Sequence, residues 1–137
     1  MCHKYLCSVL FFLFFSIASQ AQATKILHQT FSIDSVKTVQ YSIKDSVEVV
    51  LWAGVNLLAE TTIVIENASQ NILENNILEG RYKLLGQKES DSFALTFEQA
   101  QRQELRVRGT TCSETVRLRL YVPDDFEKNP DGVWVRK

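Results

Sequence analysis

Four arginines and a tyrosine are the most suggestive chemical groups in the sequence. Arginines alternate with apolar residues in "ELRVRG", and two arginines and a tyrosine do so in "TVRLRLYV". Side chains along a β-strand point to opposite faces in turn. If the two segments pair as a hairpin, one outer face carries Arg106, Arg108, Arg117, Arg119 and Tyr121.

This arginine-rich face has two interpretations. Like charges opposite one another on neighbouring strands are destabilising, so an anionic ligand such as a sugar acid or phosphate can bind there through bidentate guanidinium contacts. Alternatively, carboxylates from a neighbouring strand interleave with the arginines, and the face is solvated and discourages edge aggregation. Ligand binding at these five residues is therefore a hypothesis, weighed against a solvated surface.

The other reactive groups form no recognisable catalytic or zinc site. His28 and Cys112 are the only histidine and cysteine after residue 23. Acid–base or nucleophilic catalysis usually needs a histidine with an orienting partner, and zinc needs several such ligands. We expect His28 on a surface strand and Cys112 half-buried in a turn, and we predict no catalytic residue, metal or cofactor.

The acidic tail is predicted to be a turn. Glu127, Asn129 and Asp131 alternate as at the start of a calcium loop, but the later bidentate acid is missing. Asn129 and Gly132 around Pro-Asp are typical of a turn, and "VWV" after it predicts a last edge strand. A small hydrolase that uses Asp124, Asp125 and Glu127 is the least favoured function, because no partner base is visible.

Residues 1–23 have the character of a secretory signal peptide. Lys4 precedes the apolar run "YLCSVLFFLFFSIA", and the small residues of "SQAQA" follow. The apolar run is shorter than the roughly 20 residues of a transmembrane helix. We expect cleavage after Ala21 or Ala23 and export to the periplasm or the cell exterior, in association with the cell envelope and without a transmembrane anchor.

Residues 24–137 have the length of one domain. They number 114 of the 137 residues and carry 14 basic and 16 acidic side chains, a net charge of −2 that favours neither nucleic acid nor an anionic membrane. Two of the three cysteines, Cys2 and Cys7, belong to the signal peptide. The remaining one cannot close an internal bridge, so a disulfide scaffold is excluded.

Most of this domain follows the period of two that is typical of β-strands. In "SVEVVLWAGVNLLAETTIVIE" two strands join around Gly54-Val55-Asn56 as a hairpin, with apolar residues on both faces of each strand. Trp52 at its tip either stacks on a sugar or a partner, or folds over the end of its own core.

One segment has helical spacing instead. In "ASQNILENNILEGR", Ser69 suits the start of a helix, Gly80 suits its end, and Ile72 to Ile77 carry an apolar stripe. The predicted fold is mainly β, an antiparallel two-layer sandwich-like sheet with this short helix packed on it. The helix is expected to cover the second apolar face of the strands at Val47–Leu51 and Leu57–Ile65.

The strand–Trp–turn–strand unit "VEVVLWAGVNLLAETTIVIE" and the segment "VRLRLYVPDDFE" resemble those of a loose group of exported bacterial adhesin-like β-sheet domains of unknown function. The resemblance covers about a quarter of residues 24–137. It implies a cell-envelope location and an all-β fold, and it brings no catalytic residues. The helical segment departs from that pattern.

Export and the lack of catalytic groups favour a non-enzymatic cell-envelope protein, a binding or structural module that is adhesin-like. An anionic surface polymer or an envelope protein is the expected partner. The alternative function is a subunit of an envelope complex whose apolar strand face is completed by a partner protein.

Overall fold

The computed structural model describes residues 21–137, so residues 1–20 of the predicted signal peptide lie outside it. The described residues form a mainly β domain with one short helix packed on a sheet, which confirms the predicted fold class. The strands are β1 (Gln22–Phe31), β2 (Thr38–Tyr41), β3 (Ser46–Trp52), β4 (Leu57–Glu66), β5 (Leu84–Glu89), β6 (Ser92–Phe97), β7 (Arg106–Val107), β8 (Thr110–Thr111), β9 (Glu114–Pro123), β10 (Phe126–Lys128) and β11 (Trp134–Arg136), and the helix α1 is Gln70–Leu78.

The strands form two large sheets and one small hairpin. The first sheet has the order β1-β4-β9-β3, the second has the order β10-β11-β2-β6-β5, and β7 pairs only with β8. Most neighbours are antiparallel, but β3 pairs with β9 and β2 pairs with β6 in parallel. The sheets are therefore mixed rather than purely antiparallel. A parallel pair needs a long crossover connection. A period-two pattern does not show which strand, distant in the chain, will pair with which.

β3 and β4 are both strands of the first sheet, but they do not form the expected hairpin. β9 lies between them, parallel to β3 and antiparallel to β4. The hairpin interpretation is wrong because "TVRLRLYV" supplies a strand with a fully apolar inner face, which fits the centre of the sheet. β4 and β9 are thus central, while β3 is an edge strand.

The core lies between the two sheets and consists of alternate residues of their strands. Odd-numbered residues of β4 and even-numbered residues of β9 are buried, as the period of two requires. The second sheet contributes buried side chains from β2 and β6, and loops add Ile33, Val36 and Tyr82. The largest side chains that are fully buried are Tyr82, Phe126, Ile33, Leu57, Ile63, Ile65, Leu73, Leu95, Leu118 and Leu120.

The helix begins and ends as predicted. The Ser69 hydroxyl accepts a hydrogen bond from the backbone N–H of Ile72, and Gly80 has a φ of +79°, which favours glycine. Leu73 is completely buried, and Ile72 and Ile77 pack against the core. The helix lies along β1, where the Gln70 amide donates to the backbone carbonyl of Thr24.

The helix does not cover the second face of the central strands, so this part of the prediction is wrong. Its apolar stripe packs into the core beside β1, which is an edge strand of the first sheet that the second sheet does not cover. Leu58 and Val64 on the opposite side of β4 are half-buried by neighbours in their own sheet. The side chains on this side of β1 and β4, and those of β9 up to Tyr121, are all exposed or half-buried, so this side of the first sheet is open to solvent in residues 21–137.

The Gln29 side chain of β1 connects the two sheets at the side of the sandwich where β1 lies next to β5. The Gln29 side chain accepts a hydrogen bond from the Leu84 N–H at 2.9 Å and donates to the Leu84 carbonyl at 3.3 Å. It therefore satisfies both backbone groups at the start of β5 in place of a neighbouring strand.

The carboxyl-terminal turn is confirmed, but the strand after it is not an edge. The N–H of Gly132 donates to the Asn129 carbonyl, and the Asn129 side chain accepts from the Val133 N–H. β11 then lies between β10 and β2, so β10 rather than β11 is the edge strand at this end of the second sheet.

Leu73 and Leu78 provide a matched test of how the helix is held. Leu73 has no exposed surface, whereas Leu78 is 84% exposed. We expect Leu73→Ala to lower the free energy of unfolding by about 2–4 kcal/mol, because it leaves a cavity in the core. Leu78→Ala should change it by less than about 0.5 kcal/mol. Urea denaturation measures both values, and equal effects would contradict this packing of the helix.

Candidate functional site

The uncovered side of the first sheet, which we call the outer face, carries the most concentrated set of polar and aromatic groups. The strand registers place its side chains in rows across β1, β4, β9 and β3. The residues of the outer face are Gln22, Thr24, Ile26, His28 and Thr30 of β1, Leu58, Glu60, Thr62, Val64 and Glu66 of β4, Thr115, Arg117, Arg119 and Tyr121 of β9, and Ser46, Glu48, Val50 and Trp52 of β3.

One row of the outer face alternates between basic and acidic residue types across all four strands. His28, Glu60, Arg119 and Glu48 are consecutive partners in the register. The His28 Nε2 atom lies 3.2 Å from Glu60 Oε2, and Arg119 lies 3.2 Å from Glu48 and 3.8 Å from Glu60. The neighbouring Tyr121 hydroxyl and Glu48 carboxylate raise the pKa of Arg119. Carboxylates thus interleave with this arginine, as one of the two interpretations of the sequence expected.

Arg117 differs from Arg119. It is exposed on β9, and no carboxylate of residues 21–137 lies within ion-pair distance of its guanidinium. It lines a shallow recess of about 250 Å³ together with Ser46, Thr62 and the two acids of the charged row. A guanidinium left without a carboxylate keeps its planar set of donors available for an incoming anion.

Trp52 and Tyr121 form an aromatic pair at the other end of the outer face. Their ring centroids are 5.9 Å apart, and the Trp52 indole N–H donates to the Asn56 carbonyl at 3.0 Å. A Cβ atom at Gly54 would lie 2.3 Å from the indole, so only glycine fits beneath the ring. Trp52 therefore covers its own turn on the outer face, and the expectation that it folds over the end of the core is wrong.

Arg106 and Arg108 do not share the face of Arg117, Arg119 and Tyr121. They lie on the β7–β8 hairpin, which is separate from the sheet that contains β9. Arg106 lies 3.3 Å from Glu104, and Arg108 occupies the turn with a φ of +51°. The predicted pairing of "ELRVRG" with "TVRLRLYV" is thus wrong, because "ELRVRG" forms only a two-residue strand that pairs with the residues directly after its turn.

Cys112 and the acidic tail lie away from the outer face. Cys112 is buried in the short link between β8 and β9, with its Sγ atom 3.5 Å from the Asn67 carbonyl, rather than half-buried in a turn as predicted. Asp124 and Asp125 line an open depression of about 410 Å³, and Asp125 is paired with Arg136 there. Glu127, the third acid of the hydrolase alternative, lies on β10 and does not line this depression.

The sequence reasoning missed a half-buried ionic network around Glu114, the first residue of β9. Its carboxylate accepts hydrogen bonds from Arg81 and from the Tyr82 hydroxyl, and Arg102 approaches it to 3.6 Å. Arg102 in turn holds Asp45 through two contacts of 2.7 and 2.8 Å. The network joins the segment after the helix, the loop before β7, the start of β9 and the loop before β3.

The network favours the charged form of Glu114 in spite of its burial. Burial opposes its ionisation, but the hydrogen bonds from Arg81 and Tyr82 and the charge of Arg81 together lower the pKa of Glu114 below its ordinary value of 4.5. Burial and the hydrogen bond to this carboxylate raise the pKa of Tyr82. These groups pair mainly with one another, although the buried Arg102 Nε has no hydrogen-bond partner, and none of them belongs to the outer face. We therefore interpret the network as structural.

Glu114→Gln tests this interpretation. We expect the free energy of unfolding to fall by roughly 1–3 kcal/mol at neutral pH, since charged hydrogen bonds are lost. Because the pKa of Glu114 is lowered on folding, its contribution is present above 4.5 and is lost as the pH falls through the lower, folded-state pKa. The difference between the two proteins should therefore shrink in acid.

Urea denaturation at a series of pH values measures this difference. Glu127→Gln is the matched control, since Glu127 is exposed and lies outside the network. A Glu114→Gln deficit that stays constant through the acid range, or that Glu127→Gln reproduces, would contradict the network's role.

Residues 21–137 contain no group of three or more His, Cys, Asp or Glu side chains placed to hold a metal ion. The helix in this part of the chain is not long and apolar enough to span a membrane. Comparison of the chain with known protein families, curated protein sequences and solved structures gave no match.

Proposed function

We propose that the protein is a non-enzymatic, exported cell-envelope protein that binds an anionic surface polymer through the outer face. The observation that carries this proposal is Arg117, an exposed guanidinium without a carboxylate partner in residues 21–137, next to the recess of about 250 Å³. A carboxylate or phosphate of a polymer would supply the missing partner through paired hydrogen bonds.

The surroundings of Arg117 suit an extended ligand better than a small one. The recess is shallow and open, and the row of charged residues and the Trp52–Tyr121 pair continue along the same face. Aromatic rings offer apolar surface against which sugar rings can pack, and arginine supplies orientation through its fixed fork of donors. A long polymer would contact several rows at once, so that weak contacts add up.

The second candidate function is a subunit whose outer face is completed by a partner protein. It is favoured by the apolar residues of this face, of which Ile26 is 51% exposed and Leu58 and Val64 are half-buried. Contiguous exposed apolar surface marks interaction sites in soluble proteins. This candidate predicts binding of an apolar dye to the purified protein, whereas the polymer-binding candidate does not require it.

Charge reversal on the outer face tests the polymer proposal. Binding to polygalacturonate, with dextran as the neutral comparison, is measured by affinity electrophoresis at low salt. We expect the double variant Arg117→Glu and Arg119→Glu to lose tenfold or more in affinity, since hydrogen bonds to charged groups contribute about 1.5–3 kcal/mol. The affinity of the unaltered protein should fall as salt is added.

The double variant Arg106→Glu and Arg108→Glu is the matched control. It makes the same change in net charge on the β7–β8 hairpin, away from the outer face. We expect it to bind like the unaltered protein. Equal losses in the two double variants, or equal binding to dextran and polygalacturonate, would overturn the proposal.

Export can be tested through the position of signal cleavage. β1 begins at Gln22, which pairs with Glu66, and Ala23 is completely buried. Cleavage after Ala21 keeps both residues in the sheet, whereas cleavage after Ala23 removes them. We therefore expect mass spectrometry of the exported protein to find Gln22 as its first residue. A product that begins at Thr24, or one that keeps residues 1–20, would contradict this.

A further inference from the structure

The edges of the two sheets differ in how they are protected. β1 is flanked by the helix, and its Gln29 side chain satisfies the start of β5. β5 ends in the charged pair Lys88-Glu89, and β10 has only three residues, two of them charged. Natural sheets protect their edges with such charges, short strands and covering elements.

β3 lacks these protections. It has seven residues, of which Glu48 is the only charged one, and β9 is its only strand partner in residues 21–137. Backbone N–H and C=O groups on its free side therefore have no strand to pair with. Leu51 lies on the same side of β3 as Val47 and Val49, the side that faces the core, yet it is 46% exposed. A bare apolar edge of this kind is a template for the addition of a strand.

The sequence of β3 is complementary to itself in the antiparallel direction. With Val50 opposite Val50 of a second copy, Val49 faces the second copy's Leu51, and both lie on the inner side of the sheet. On the outer side Glu48 faces the second copy's Trp52. The two Glu48 side chains are then neither opposite nor diagonal to each other, and each keeps its own Arg119 at 3.2 Å. No like charges meet in this arrangement.

We propose that β3 pairs antiparallel with β3 of a second copy of this chain, with Val50 on the two-fold axis. The two first sheets then form one sheet of eight strands, since each contributes four. The assembly ends at two copies, because both copies use the same edge for the contact. The pairing does not depend on the ligand proposed for the outer face.

The pairing is expected to be reversible. In this register five residues of each β3 (48–52) face one another, and a strand pair of that length buries less than the roughly 1,200–2,000 Å² of total surface that stable interfaces bury. Sedimentation of the exported protein over about 1 µM to 1 mM covers the range in which such small interfaces dissociate. We expect the average mass to rise from that of one chain towards that of two.

Two lysine variants locate the interface. Val50→Lys places two ammonium groups against each other on the axis and should keep the protein monomeric over the whole range. Val64→Lys is the matched control, since Val64 is also half-buried on the outer face but lies on the central strand β4. It should dimerise like the unaltered protein, and circular dichroism checks that both variants are folded.

A cysteine pair tests the register without relying on the lysine variants. Directly opposed residues of an antiparallel pair have Cα atoms about 4.5–5.5 Å apart, within the range of a disulfide. Under mild oxidation we expect Val50→Cys to give a covalent dimer and Val64→Cys to stay monomeric. A monomer at every concentration, masses beyond two chains, a dimer that Val50→Lys leaves intact, or equal cross-linking of the two cysteine variants would each overturn the proposal.

Discussion

β9 forms ladder hydrogen bonds on both sides, antiparallel to β4 and parallel to β3, and most features of the molecule depend on this position. Its even-numbered residues from Val116 to Val122 are buried in the core, while its odd-numbered residues place Arg117, Arg119 and Tyr121 on the outer face. Because the period of a strand is two, a slip of one residue would exchange these two sets of side chains. The same register therefore maintains both the core and the candidate binding surface.

The Glu114 network holds this register at the start of β9. Replacing a buried ion pair by apolar groups is often neutral or stabilising, so the pair is weak evidence for stability in itself. Removing one partner alone is costly, because the other charge is left buried. Arg81 and Arg102 come from different segments, Arg102 also holds Asp45 of a third segment, and the observed alignment of β9 brings Glu114 to both arginines. The network thus specifies which alignment is native.

The sequence predicted the elements well and their partners less well. Local signals were sufficient for the strands and the helix, since the alternation in β4 and the capping by Ser69 and Gly80 need no distant contacts. The insertion of β9 between β3 and β4 could not be predicted, because it depends on a parallel pairing between segments that are far apart in the chain. For the same reason no local sequence pattern indicated the contact of Arg81 with Glu114, since the two residues are 33 positions apart.

The candidate site was predicted in part. Arg117, Arg119 and Tyr121 share one face because they belong to a single strand. Arg106 and Arg108 were misplaced because the Arg108-Gly109 turn was not recognised. Both residues have positive φ, the backbone of a two-residue hairpin turn, but Arg-Gly is not among the dipeptides that usually mark such a turn.

The chain order of the first sheet also determines when that sheet can be completed. β1, β3 and β4 all precede the helix, whereas β9, which separates β3 from β4, comes only after β8. Until β9 has been synthesised, β3 has no strand neighbour in residues 21–137, and the core-facing side of β4 stays exposed to water. Contacts between distant segments also slow folding. The newly made chain therefore passes through a stage in which its apolar strand faces are exposed and prone to aggregation.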